Sequence, residues 1–200
     1  MRLLLVAYPG AGKGTQAAKL ASHYEIAHLS SGALLRDEVA QGTEIGRLAA
    51  DYLERGDLVP DQLLFELLWA RVLDAARNGG YVLDGFPRTV HQAEAAYSMA
   101  QGLEGITLQA VVYLRVSNEE LHNRLRERAD REGRSDDTEA GIARRFEVFD
   151  SQTQPLLGFY AKRGILVEID GEQPVEEVFA DITVALDGLR GRKDGVSDMP

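Results

Sequence analysis

Apolar positions along the chain fall into two alternating kinds of segment. Short, almost continuous apolar runs occupy residues 3–6, 25–29, 81–83, 110–116 and 165–169. Longer segments, in which apolar residues recur every three or four positions, occupy 13–24, 32–40, 44–55, 61–77, 90–100, 118–131, 138–162 and 175–189. Runs of the first kind predict buried strands, and segments of the second kind predict helices. The alternation predicts a doubly wound α/β fold, with a five-stranded parallel sheet covered by helices on both faces.

Two segments exceed what a plain connection between strands needs. Residues 30–59 form a long helical insertion, and residues 127–137 form a charged connection between two helices. We expect both above the carboxyl ends of the strands, where ligands bind in such sheets. Residues 1–190 are therefore predicted to be a single domain carrying these two insertions. Apolar residues do not recur at a regular spacing in residues 191–200, and we expect a disordered tail there.

The composition of the chain excludes or disfavours several classes of protein. The 200 residues include no cysteine, which excludes a disulfide framework and a thiolate zinc site. The formal net charge of -10 disfavours a nucleic-acid surface, which needs a basic face. No apolar run approaches the ~18 residues of a membrane span. We therefore expect a cytoplasmic protein with neither nucleic-acid nor membrane partners.

A glycine-rich turn joins the first strand to the first helix. It runs from Tyr8 to Gln16 and contains Gly10, Gly12, Lys13 and Gly14. Glycines let backbone N–H groups point inward, the helix N-terminus favours an anion, and the lysine adds a movable charge. This arrangement predicts phosphate binding. It departs from the strict phosphate-loop pattern because alanine stands at residue 7 and glycine follows the lysine.

Several motifs accompany this turn along the chain. The phosphate loop, Pro9-Gly10-Ala11-Gly12-Lys13-Gly14-Thr15-Gln16, resembles that of the adenylate kinase family. The segments Leu29–Gly32 with Leu35-Arg36, Gly56–Asp61, and Leu83–Thr89 with Gln92 also resemble family motifs. The spacing of a further charged set matches the family's lid and catalytic residues: Arg124, Arg128, Arg134, Asp136, Asp137 and Arg145. The resemblance covers residues 3–186 and indicates the short-lid form.

The resemblance implies a three-layer α/β/α P-loop fold with a helical insertion that binds the nucleoside monophosphate. It implies reversible transfer of the terminal phosphoryl group from ATP to AMP, giving two ADP, with Mg²⁺ and without zinc. A monomer is expected. Two alternatives stay open: a kinase for another monophosphate such as UMP, CMP or dAMP, and a non-catalytic ATP-binding sensor.

The resemblance also assigns residues to each substrate. The implied ATP site consists of Gly10, Ala11, Gly12, Lys13, Gly14, Thr15, Arg124, Arg128 and Gln173. The implied AMP site consists of Ser31, Arg36, Asp57, Leu58, Val59, Gly85, Phe86, Pro87, Arg88, Gln92, Arg134 and Arg145. The implied catalytic groups are Lys13, Arg88, Arg128, Arg134 and Arg145. Asp84, at the end of a strand, is expected to hold Mg²⁺ through water.

Three positions depart from the family pattern. Ala7 replaces a glycine, Ala33 replaces an acidic residue, and Gln173 stands where lysine is frequent. These changes raise the alternative of a divergent member with lower turnover or a different acceptor. None of them alters the lysine or the arginines of the implied catalytic set.

Overall fold

The computed structural model of the chain describes residues 1–132 and 138–194, and only the backbone of residues 131–132 and 190–194. Five strands form one sheet: β1 (Arg2–Val6), β2 (Ala27–Ser30), β3 (Tyr81–Asp84), β4 (Ala110–Arg115) and β5 (Leu166–Asp170). All neighbouring strands are parallel, in the order β2-β3-β1-β4-β5. The predicted five-stranded parallel sheet is confirmed.

Helices connect these strands. Over the described ranges they are α1 (Lys13–Tyr24), α2 (Ser31–Gln41), α3 (Glu44–Arg55), α4 (Asp61–Arg77), α5 (Val90–Met99), α6 (Asn118–Glu132), α7 (Glu139–Val148), α8 (Pro155–Ala161) and α9 (Val175–Asp194). Helices α1, α3 and α4 have the predicted bounds. Among the described residues, no helix is both long and apolar enough to cross a membrane.

Strand β1 lies at the centre of the sheet and contributes to both apolar layers. Leu3 and Leu5 pack on one face, in a cluster that includes residues of α1 and α9. Leu4 and Val6 pack on the other face, in a cluster that includes residues of α4 and α8. Successive strand residues point to opposite faces of the sheet. The sequence of a strand that is buried on both faces is therefore an unbroken run of apolar residues.

The helices α2 and α3 form a lobe, the α2–α3 lobe, whose apolar cluster it shares with α4. This cluster contains Leu35 of α2, Ala49 of α3, and Leu64, Leu67 and Leu68 of α4. Thr43 caps α3 by accepting a hydrogen bond from the backbone N–H of Gly46 at 3.0 Å. A side chain at residue 46 would collide with the backbone of α2, so glycine permits the close packing of the two helices.

The helix predicted over residues 138–162 is interrupted. Between α7 and α8 lies a π-helical segment, Phe149–Thr153, in which the N–H of Gln154 donates to the carbonyl of Phe149 at 2.8 Å. Pro155 has no N–H to donate, so α8 starts there instead of continuing the α7 ladder. At the carboxyl end, α9 continues to Asp194, four residues into the segment predicted as a disordered tail.

The order of the strands defines where a ligand can bind. From β1 the chain turns towards β2 on one side, and after β3 it crosses to β4 on the other side. In doubly wound sheets, a crevice forms at this reversal, beyond the carboxyl ends of the strands. The carboxyl ends of β1, β3 and β4 therefore mark the expected site.

Candidate active site

A cleft of about 1130 Å³ opens at the carboxyl ends of the strands. Its volume exceeds the roughly 300–1,000 Å³ of a pocket for one small ligand. The wall is formed by the phosphate loop, the start of α2, the segment after α3, the segment after β3, parts of α6 and α7, and residues 171–175. Sequence segments far apart along the chain therefore meet around a space large enough for two ligands.

The phosphate loop has the backbone conformation that anion binding requires. Gly10 and Gly12 have φ angles of 89° and 86°, which favour glycine, and α1 begins directly after them. The Lys13 ammonium donates to the carbonyl oxygens of Ala7 at 2.8 Å and Tyr8 at 3.0 Å. The methyl group of Ala7 is buried in the apolar cluster, so the alanine is accommodated there without a glycine.

Lys13 lies where several charged side chains converge. Burial lowers the pKa of its ammonium from 10.5 to about 8, although the carboxylate of Asp84 opposes this shift. Three positive side chains lower the pKa further: Arg88, Arg128 and Arg145. Such a concentration of positive charge is unfavourable on its own and becomes favourable when an anion is bound. The structure thus brings together four of the five implied catalytic residues.

Asp84 ends β3 and stands beside the phosphate loop. Its Oδ2 accepts a hydrogen bond from the Ser30 hydroxyl at 3.4 Å, and a Cβ atom placed on Gly14 would lie 3.7 Å from the same oxygen. The described residues contain no group of three or more acidic or histidine side chains that could hold a metal by itself. A single carboxylate nevertheless fits Mg²⁺, which commonly binds through one or two carboxylates, waters and substrate phosphates.

The segment after β3 positions Arg88. Its Nε donates to the carbonyl of Gly85 at 2.6 Å, and its backbone N–H donates to Oε1 of Gln92 at 2.7 Å. Gly85 has a φ angle of 85°, and a Cβ atom there would lie 2.6 Å from the Ser31 hydroxyl oxygen. Glycine is therefore needed to bring Arg88 and Ser31 together, and Pro87 completes this part of the cleft wall.

Gln92, the predicted reader of the adenine base, is fully buried. Besides accepting from Arg88, its amide donates from Nε2 to Oδ1 of Asp61 at 2.7 Å. The other oxygen of Asp61 contacts Nδ1 of His91 at 2.9 Å. Each end of the Gln92 amide thus makes one hydrogen bond, and Nε2 carries a second N–H besides the one that Asp61 accepts.

The implied AMP residues divide into two groups. Arg36, Asp57 and Leu58 line the cleft, as do Gly85, Pro87 and Arg88. The side chains of Val59 and Phe86 are buried in the apolar cluster of the α2–α3 lobe, and Ser31 is 1% exposed with no hydrogen-bond partner for its hydroxyl. These three positions support the cleft from behind in this conformation.

The donor side of the cleft is arranged around Arg124. Its Nε donates to Glu120 at 2.6 Å, and its NH1 donates to the carbonyl of Gly171 at 3.0 Å. These contacts orient the guanidinium beside residues 171–175, which line the cleft. Gln173 also lines it, and its amide donates to Asp181 at 2.9 Å.

Sequence reasoning missed the contribution of the π-helical segment. Phe149 and Thr153 of this segment, and Val148 just before it, are buried and line the cleft. The proline at residue 155, inside an otherwise helical pattern, was the signal that could have indicated an interruption there. Three predicted lid residues lie outside the described residues: Arg134, Asp136 and Asp137.

Comparison with known proteins agrees with the geometry. A family model described as adenylate kinase matches residues 5–165. The chain is 45% identical over 186 residues to an adenylate kinase of Xanthomonas campestris pv. campestris (strain 8004), covering 93% of this chain and 99% of that protein. It is 46% identical over 186 residues to an adenylate kinase of Thermobifida fusca (strain YX), covering 93% and 98%. A Stenotrophomonas maltophilia (strain K279a) adenylate kinase is 42% identical over 186 residues, covering 93% and 99%.

The family match spans most of the chain, and the relatives align over almost their whole length. The chain therefore belongs to the adenylate kinase family.

Proposed function

We propose that the cleft holds ATP and AMP together, and that the chain transfers the terminal phosphoryl group of ATP to AMP to give two ADP. One observation carries this proposal: Lys13 lies within electrostatic reach of Asp84 and of three arginines, in a cleft with space for two ligands. Two anionic nucleotides repel each other, and phosphoryl transfer proceeds mainly through positioning and charge stabilisation. A group of cations that repel one another supplies that stabilisation once the phosphates are bound.

The donor nucleotide is assigned to the phosphate loop and α6. The backbone from Gly10 to Thr15 would surround the phosphates, with Lys13 on the terminal ones. Arg124, held by Glu120 and Gly171, would stack on the adenine, and Arg128 would contact the phosphates. Residues 171–175 would border the donor base.

The acceptor nucleotide is assigned to the opposite side of the cleft. Arg36 and Arg88 would bind the AMP phosphate, because guanidinium groups hold phosphate oxygens with two parallel hydrogen bonds. Gln92 would read the adenine edge from behind Arg88, through the Nε2 hydrogen that Asp61 does not accept. Arg145 would lie between the two substrates, and Arg134 is assigned the same role from the sequence motif alone.

Magnesium fits this arrangement through Asp84. Proteins of this family use ATP together with Mg²⁺, which neutralises phosphate charge when bound. Asp84 would hold the ion through water, beside Ser30 and the phosphate loop. The chain's own residues then complete the reaction: Lys13 and the arginines hold the phosphates in line and exclude bulk water from them.

The α2–α3 lobe and the connection at residues 127–137 are proposed to close over the bound nucleotides. Closure protects ATP from hydrolysis by excluding water. The lobe is joined to the core through the apolar cluster that it shares with α4, which places α4 at the base of the proposed movement. We further propose that the protein is a cytoplasmic monomer without nucleic-acid or membrane partners.

The test is phosphoryl transfer from ATP and Mg²⁺ to AMP, CMP, UMP and GMP in parallel assays. We expect rapid ADP formation with AMP and loss of activity in Lys13→Ala. Activity with a pyrimidine nucleotide alone would contradict the AMP assignment. Tight ATP binding without transfer to any acceptor would favour a sensor. Either result would direct attention to the pocket around Ser31 and Gln92.

A further inference from the structure

Tyr8 occupies an unusual place in the phosphate loop. Its backbone carbonyl accepts from the Lys13 ammonium at 3.0 Å and from the N–H of Ala11 at 3.3 Å. Its side chain leaves the loop and reaches the π-helical segment after α7. The same residue therefore contacts the lysine through its backbone and a distant part of the chain through its ring.

Two kinds of contact attach the Tyr8 side chain to that segment. The ring packs on Phe149 with a centroid separation of 3.8 Å and an interplanar angle of 33°. The hydroxyl donates a hydrogen bond to Oδ1 of Asp150. Burial and the bond to Asp150 raise the pKa of the Tyr8 phenol above its ordinary value, so the hydroxyl is protonated and able to donate at neutral pH.

The ring contacts continue to the helices that carry the arginines. Tyr8 meets Phe146 edge-on at 5.5 Å, and Phe146 follows Arg145 directly on α7. Phe146 in turn contacts the ring of His122 at 5.0 Å, two residues before Arg124 on α6. One aromatic cluster thus joins the phosphate loop to both arginine-bearing helices.

We propose that Tyr8 is a positioning residue that fixes the phosphate loop, and with it Lys13, relative to Arg145. The π-helical segment supports this role, since such segments are rare and often occur at functional sites. In this one, Phe149 is buried in the cleft wall while Asp150 is exposed and accepts from Tyr8. Both side chains contact Tyr8, Phe149 through its ring and Asp150 through its carboxylate.

The inference rests on the assignment of Lys13 and Arg145 to the phosphates. A displacement of about 1 Å between reacting groups can lower the rate by up to about 100-fold. Loss of the Tyr8 hydroxyl alone, with the ring still packed on Phe149, is expected to lower kcat by about tenfold. The KM for AMP should stay within about twofold, because Arg36 and Arg88, which are assigned to the AMP phosphate, make no contact with Tyr8 or Asp150 in this cluster.

The experiment compares Tyr8→Phe, Asp150→Ala, Asp150→Asn and the double variant Tyr8→Phe/Asp150→Ala. Because the two residues share one hydrogen bond, the double variant should lose no more kcat than either single variant. Asp150→Asn keeps an acceptor oxygen and should restore most of the kcat lost in Asp150→Ala. Tyr24→Phe is the matched control, since it removes a tyrosine hydroxyl that faces Asp187 at 3.5 Å, outside the cleft wall.

If Tyr8→Phe keeps the kcat of the wild type and only its melting temperature falls, the contact has a purely structural role and the proposal is overturned. Additive losses in the double variant would overturn it as well. Lys13→Met is measured in parallel. If this variant retains activity, the assignment of the active site has failed, and that failure is distinguishable from a failure of the proposed role of Tyr8. If Asp150→Ala unfolds at the assay temperature, Tyr8→Phe alone decides.

Discussion

Arg144 on α7 donates from Nε to Oδ1 of Asp57 at 2.7 Å, which joins the catalytic core to the segment that follows α3. The second oxygen of Asp57 accepts from Arg55 at 3.3 Å. Next to this ion pair, Gly56 packs so closely on Arg145 that a Cβ atom there would lie 2.9 Å from the arginine Cγ. The inner end of the α2–α3 lobe therefore rests on the helix that carries Arg145.

Removing this ion pair should loosen the lobe without unfolding the protein. We expect Arg144→Gln to accelerate proteolytic cleavage within residues 31–59 in the absence of nucleotide, while the melting temperature changes little, since the pair is partly exposed. The hydrogen bond from Arg144 lowers the pKa of Asp57, so the pair is intact at neutral pH and is lost only as pH falls through that lowered value. Limited proteolysis at pH 7 is the measurement.

Arg77→Gln serves as the control for that experiment, because Arg77 is exposed at the end of α4 and lies outside the cleft wall. Equal cleavage rates in Arg144→Gln and the wild type would show that the ion pair does not restrain the lobe. A bound bisubstrate analogue that joins two adenosines should slow cleavage in both proteins.

ATP affinity should decrease as pH rises above about 8. The Lys13 pKa is lowered to about 8 without nucleotide, so the free protein loses this charge above that pH. Bound phosphates favour the charged form and raise the pKa, so binding takes up a proton in the interval between the two values. The association constant should then fall by up to about tenfold per pH unit. Titration calorimetry from pH 7 to 9.5 measures this slope.

The same pKa shift has the opposite sign for stability. The unfolded chain holds the Lys13 proton up to its ordinary pKa of 10.5, whereas the folded chain releases it from about 8. The contribution of Lys13 to the free energy of unfolding therefore increases with pH between these two pKa values.

The control for the binding experiment is Lys13→Met, which should abolish the pH dependence of ATP affinity. If the variant keeps that pH dependence, Lys13 is not its source.

Asp84→Asn should weaken the response to magnesium. The amide keeps the size of the side chain and an acceptor for Ser30, but it removes the negative charge beside the phosphate loop. Loss of a group that orients metal-bound waters commonly costs about 10–100-fold in metal affinity or activity. The concentration of Mg²⁺ that gives half-maximal rate should rise by that factor. An unchanged magnesium dependence would assign Asp84 a purely structural role at the end of β3.

Gln92→Met should reduce stability as well as AMP use. The side chain is fully buried, and methionine of similar size would leave Asp61 and the N–H of Arg88 without this partner. A fully buried polar group left unsatisfied costs about 1–3 kcal/mol, and the loss here should lie at the low end because both groups are only partly buried. Urea denaturation should reveal the stability loss, and the KM for AMP should rise because Arg88 keeps its bond to Gly85 but loses the one to Gln92. Gln62→Met, an exposed position on α4, is the comparison.

Local signals explain why much of the fold could be predicted. Thr43 caps the start of α3, and Gly56 ends it in a left-handed conformation, so both bounds were encoded within a few residues. The apolar run of β1 indicated a strand buried on both faces. The phosphate loop was evident because its glycines, lysine and following helix are contiguous.

Long-range partners explain what could not be predicted. The side-chain amide of Gln92 on α5 donates to Asp61 on α4, and the hydroxyl of Tyr8 donates to Asp150, which lies 142 residues later in the sequence. No spacing rule connects such positions, since each pairing depends on the final packing of the helices. The burial of Val59 and Phe86 in the lobe likewise follows from the packing of α2, α3 and α4.

The central position of β1 also has a consequence for synthesis. Leu3 pairs with Val82 on one side and with Ala110 on the other, so the strand that leads into the phosphate loop finds its neighbours only much later in the chain. Contacts this distant in sequence slow folding, because a large loop must close before they form. In a growing chain, the strand that leads into the phosphate loop is therefore paired on one side at most until β4 has left the ribosome, and nascent chains whose exposed part ends before Arg115 should not yet retain nucleotide.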